Sequence, residues 1–105
     1  MLLKCKCEKP PFHYLNFERN ELGYDVSGGE VAEEICNECG TKWLVYLLEE
    51  PHYTKSGRWW RIKVTNEEYT KETVKEIIES KEWCFVGGSF YDSQGKKVNA
   101  PIKIT

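Results

Sequence analysis

The sequence predicts an α+β fold: a small antiparallel sheet with one packed helix and an amino-terminal turn built on cysteines. Three observations predict it. Short aromatic and β-branched runs recur between glycine-rich breaks. One segment around residue 70 has helical rather than alternating periodicity. Four of the five cysteines fall in two close pairs within the first forty residues. The 105 residues are one domain's worth of chain. A single domain over 1–105 is therefore expected, with the cysteine pairs in 1–50 and a β-α-β-β part in 51–105.

Residues 1–9 form an arm carrying the first cysteine pair, ended by Pro10 and Pro11. Phe12–Phe17 is aromatic and reads as extended. Gly23 and the Ser27-Gly28-Gly29 run punctuate a hairpin around Leu22–Val26, and Glu30–Ile35 leads back to the second cysteine pair. Trp43–Leu48 is apolar on both alternating faces, as in a central strand covered on two sides. Pro51–Gly57 is a turn. Arg58–Val64 alternates strictly, with Trp60, Ile62 and Val64 on one face and Trp59, Arg61 and Lys63 on the other. These two strands are expected to pair as a hairpin.

The helix is expected over 66–80. Thr65-x-x-Glu68 matches a capping box, in which each side chain satisfies an otherwise free amide. Tyr69, Val74, Ile77 and Ile78, helped by Thr73, share one side, while Lys71, Glu72, Lys75, Glu76 and Glu79 face water. Trp83–Val86 follows as a strand, Gly87-Gly88 as a bend or bulge and Asp92–Gly95 as a turn. Lys96–Thr105 returns, with Pro101 marking an edge or its end.

Composition excludes several classes. Hydrophobic residues make up 40% and charged residues 30% of the chain, which separates it from disordered tails. No apolar run reaches the roughly 18–20 residues of a membrane span. Lys4, Cys5 and Lys6 follow Met1–Leu3 at once, leaving no apolar stretch for a signal peptide. A cytoplasmic protein without a membrane partner is expected. The net charge of −2 divides unevenly: residues 1–50 carry five Lys/Arg against ten Asp/Glu, and residues 51–105 carry ten against seven. The acidic first half suits a basic partner, and the second half offers a local basic surface.

The cysteines lie at 5, 7, 36, 39 and 84. Paired clusters in a reducing compartment read as metal ligands rather than disulfides. A Cys-x-x-Cys turn sets two thiolates on one side, each about 2.3 Å from a shared tetrahedral zinc. Gly40 after Cys39 permits a positive φ that lets amides point at the sulfurs. Cys5, Cys7, Cys36 and Cys39 are thus the candidate ligands of one structural Zn2+, although Cys5-x-Cys7 has one spacer residue where two to four are usual. Reduced structural thiols and a redox pair at Cys36 and Cys39 are the alternatives. His13 and His52 are reserve ligands, more easily read as partly exposed aromatics. Cys84, between Trp83 and Phe85, reads as a small buried apolar residue.

The stretch Cys36-Asn-Glu-Cys-Gly40 resembles the knuckle of zinc-ribbon proteins, with Cys5 and Cys7 as the matching half. As a whole, the chain resembles the small bacterial immunity proteins kept against delivered toxins: compact, aromatic-rich α+β domains with an acidic half and no catalytic motif. That resemblance implies tight binding of one cognate toxin of the nuclease type and occlusion of its active site. No catalytic constellation stands out, so neither an enzyme nor a small-molecule substrate is expected. Glu33, Glu34 and Glu38, beside a rigid turn, are the candidate contacts for a basic cleft, with Trp59 as an anchor and Arg61 beside it. The alternative is a ribbon that binds nucleic acid, with Trp59 stacking a base while Arg61 and Lys63 hold phosphates; the same residues also read as plain packing, with Trp59 under another segment and Arg61 covering it.

Overall fold

The computed structural model describes residues 7, 12–48, 57–88, 95–99 and 104. Cys5, His52, the turn at 51–56, residues 92–94 and Pro101 lie outside the described residues. Among the described residues six strands follow one another: β1 (Phe17–Tyr24), β2 (Glu30–Cys36), β3 (Lys42–Leu48), β4 (Arg58–Val64), β5 (Trp83–Gly88) and β6 (Lys96–Asn99). The helix α1 (Val74–Ser80) lies between β4 and β5. All six strands form one antiparallel sheet in the order of the chain, so every strand pairs with its sequence neighbours. This is the expected α+β arrangement of an antiparallel sheet with one helix.

Register assigns each side chain to a face. One row runs Val31, Tyr46, Trp60, Val86; the next runs Ala32, Val45, Arg61, Phe85. The first row belongs to a core with Leu44, Ile62, Val64 and Cys84, capped by Val74 and Ile78 of α1 and by Ile104. The opposite face carries a second buried cluster of Cys7, Phe17, Cys36, Trp43 and Phe85, packed by Phe12, Trp59 and Trp83. β3 separates the two, which is why Trp43, Leu44, Val45 and Tyr46 are all buried. The double apolar pattern of that segment is thereby accounted for.

Four local expectations are corrected. The helix spans Val74–Ser80, not 66–80. The capping box does not form: Thr65 N–H donates to Glu67 Oε1 at 2.9 Å, one residue short of Glu68. Thr70 and Thr73 then bond to each other's backbone and hydroxyl groups, N–H of Thr70 to Oγ1 of Thr73 at 2.9 Å. Hydroxyl side chains that satisfy local backbone in this way compete with helix formation. Tyr69 still packs against the helix-side core, from irregular backbone.

Phe12–Phe17 is not fully extended, because Tyr14–Asn16 forms a 3-10 turn. His13 Nδ1 accepts the Leu15 N–H at 3.2 Å and closes it. Gly87 and Gly88 continue the β4–β5 ladder opposite Trp59 and Arg58 without a register shift. The bulge lies instead in β1, between Glu21 and Gly23. Among the described residues no helix is long and apolar enough to cross a membrane.

Candidate metal centre

Cys36 ends β2, and a tight turn carries Cys39 back over it before β3 begins. Cys36 N–H donates to the Thr41 carbonyl at 2.9 Å and Gly40 N–H to the Cys36 carbonyl at 3.0 Å. Gly40 has φ of 75°, the left-handed conformation expected of it. The Glu38 amide donates to Cys36 Sγ at 3.4 Å. Such an amide aims partial positive charge at the sulfur. The turn is fastened to the 3-10 turn before β1 as well, through Asn37 N–H to the Asn16 carbonyl at 2.9 Å and Asn37 Nδ2 to the Leu15 carbonyl at 3.2 Å.

Cys7 meets this turn from the amino-terminal arm. The sulfurs of Cys7, Cys36 and Cys39 lie within 4.8 Å of one another, and Cys7 Sγ is 3.6 Å from Cys39 Sγ. Bonds of about 2.3 Å in a tetrahedral zinc thiolate place sulfurs about 3.8 Å apart, so the cluster is close enough to hold a metal ion. Cys7 and Cys36 are buried while Cys39 is exposed, hydrogen-bonded to Thr41 Oγ1 at 3.1 Å. Cys5, the fourth sulfur expected from the sequence, is outside the described residues. Cys84 lies on the other face in the helix-side core, where burial pushes its thiol up to about 11.

The candidate contact residues are dispersed. Glu34 and Arg61 are 7% and 4% exposed and face each other across the aromatic side of the sheet, Arg61 Nη1 donating to Glu34 Oε1 at 3.0 Å. Glu33 points to the helix side, where Tyr69 Oη and Asn20 Nδ2 donate to its two oxygens. Those donors, Tyr69 first, hold its carboxyl below the usual value. Glu38 is exposed at the tip of the cysteine turn. Trp59 is half-buried, edge-on to Phe12 at 5.9 Å, and lies so close to Gly87 that a Cβ there would sit 2.2 Å from its ring.

Sequence reasoning missed the surroundings of Arg61. Its guanidinium carbon lies 4.3 Å from the Phe12 ring centre, 4.7 Å from Phe17 and 5.0 Å from Trp43. Burial drives this group below its ordinary value, and Glu34 and the nearby Cys7 sulfur oppose that. Arg19, on β1, pairs with Glu34 Oε2 at 2.8 Å and also with Glu21 and Glu30. The available signal was alternation in Phe17-x-Arg19-x-Glu21, a strand pattern that the punctuation around Gly23 obscured. No protein-family model, curated protein or solved structure matches this chain.

Proposed function

We propose that this protein is a non-enzymatic, zinc-stapled binding domain whose acidic edge occludes the basic cleft of a nuclease-type toxin, as an immunity protein does. Cys7, Cys36 and Cys39 hold the ion, with Cys5 as the fourth thiolate. A closed thiolate site activates no water and serves to stabilise a small core. Supporting the metal part is the convergence of three sulfurs from the arm and the turn.

The single observation that carries the binding part is the composition of the β1–β2 margin of the sheet. Glu18 and Glu21 are exposed on the outermost strand, Glu30 and Glu33 stand half-buried on the next, and Glu38 is exposed at the turn between β2 and β3. Tyr14 and Leu15, 74% and 66% exposed, flank that turn. Carboxylates around an exposed apolar pair suit a cleft that normally holds phosphates. Arg61 is buried and Trp59 is half-buried against Phe12 and Gly87, so base stacking on Trp59 draws no support from this geometry.

The test has two parts. Native mass spectrometry is expected to find one zinc per chain, lost in Cys39→Ser and kept in Cys84→Ser. For binding, the product of the adjacent open reading frame is purified and its nuclease activity titrated with this protein. Stoichiometric inhibition, weakened at least about tenfold by Glu18→Lys with Glu38→Lys, is the expected result for rim charges that steer association. Absence of inhibition, together with single-stranded RNA binding of steep salt dependence, overturns it.

A further inference from the structure

We infer that Arg61 is the buried counter-charge of the thiolate centre, a positioning residue whose guanidinium offsets the negative charge of the sulfurs from within the same aromatic cluster. The inference rests on the reading of Cys7, Cys36 and Cys39 as ligands of one ion. A divalent ion held by three or four thiolates is a net anion. Here that anion lies against a cluster of aromatic rings, where charge needs a partner.

Arg61 meets the requirements of such a partner. It is 4% exposed, yet of its donors only Nη1 is used, on Glu34; Nε and Nη2 have no hydrogen-bond partner among the described residues. Glu34 does not balance it alone, because the other Glu34 oxygen belongs to Arg19. Two of the rings against which Arg61 stacks, Phe17 and Trp43, share one buried cluster with Cys7 and Cys36. Phe17 also stands directly opposite Cys36 in the β1–β2 ladder. The remaining charge on Arg61 and the charge on the sulfurs therefore lie in one water-poor compartment. A cation in that compartment offsets the negative charge of the site without touching the sulfurs, so its influence on the ion is through charge.

The test uses the full chain and zinc alone, competed against a chromophoric chelator. Arg61→Met combined with Glu34→Gln removes both charges at similar volume, and is expected to keep one zinc per chain while weakening it about 10- to 100-fold. Glu34→Gln alone removes the carboxylate that shares the charge of Arg61 and is expected to bind zinc more tightly than the wild type. This opposition of sign is what a merely structural role does not produce. Unchanged affinity in the double variant overturns the inference alone, as does equal weakening in both variants. If the double variant does not fold, Glu34→Gln decides, since tighter binding there supports the inference and unchanged or weaker binding overturns it. A wild-type chain that takes up no zinc overturns the ligand reading and the inference together.

Discussion

Tyr46 shows how one side chain serves both packing and polar closure. It is fully buried between Val31 and Trp60 in its row, and its hydroxyl donates to Asp25 Oδ2 at 2.8 Å. Asp25 Oδ1 meanwhile accepts the amides of Ser27 and Gly29 at 3.0 and 2.9 Å, so one carboxylate closes the β1–β2 loop and anchors it to β3. Tyr46→Phe keeps the ring and strands a carboxylate oxygen that is all but buried. The expected cost is about 1–3 kcal/mol, read as a lower urea midpoint with an unchanged slope. Alternation alone marks Tyr46 as a core residue. Its hydroxyl partner, twenty-one positions earlier, is not visible in the pattern because it depends on the hairpin register. Glu34 and Arg61 illustrate the same gap: a glutamate and an arginine in alternating strands read as surface, and only the register β2-β3-β4 turns both inward beneath the rings.

At the level of elements, the strands were readable and the helix start was not. Strict alternation in Arg58–Val64 and the double apolar pattern of Trp43–Leu48 each report a physical environment, one face covered or two. The Thr65-x-x-Glu68 match reports only a possible local bond, and Glu67 takes that bond instead. Two substitutions separate these kinds of information. Glu68→Ala is expected to change stability by no more than about 0.5 kcal/mol, because Glu68 is exposed and outside the helix. Ile78→Ala, at a fully buried position on the sheet side of α1, is expected to cost about 2–5 kcal/mol in the same denaturation measurement. Helical spacing thus selected the right apolar residues while misplacing the first turn, since threonine hydroxyls at 70 and 73 divert the backbone.

For the molecule as a whole, acid response follows from carboxylates held below their ordinary value. Lys81, then the Thr65 amide, brings Glu67 down to about 2 from 4.5. A carboxyl lowered in the folded state favours folding above its unfolded value and loses that contribution as pH falls through the folded one. The stability difference between wild type and Glu67→Gln in urea denaturation is therefore expected to be constant above pH 4.5 and to close as pH falls towards about 2. The sequence could not show this pair, which joins the segment before α1 to the residue after it. Nor could it show how Phe12, Phe17, Trp43 and Arg61 gather on one face, because that depends on all the intervening ladders. One last feature concerns kinetics. Among the described sulfurs of the cluster, Cys39 is at the surface while Cys7 and Cys36 are inside. For an ion held there as proposed, attack by a chelator would begin at Cys39 and reach Cys7 and Cys36 last, so the rate of loss is set by how readily the outer sulfur lets go.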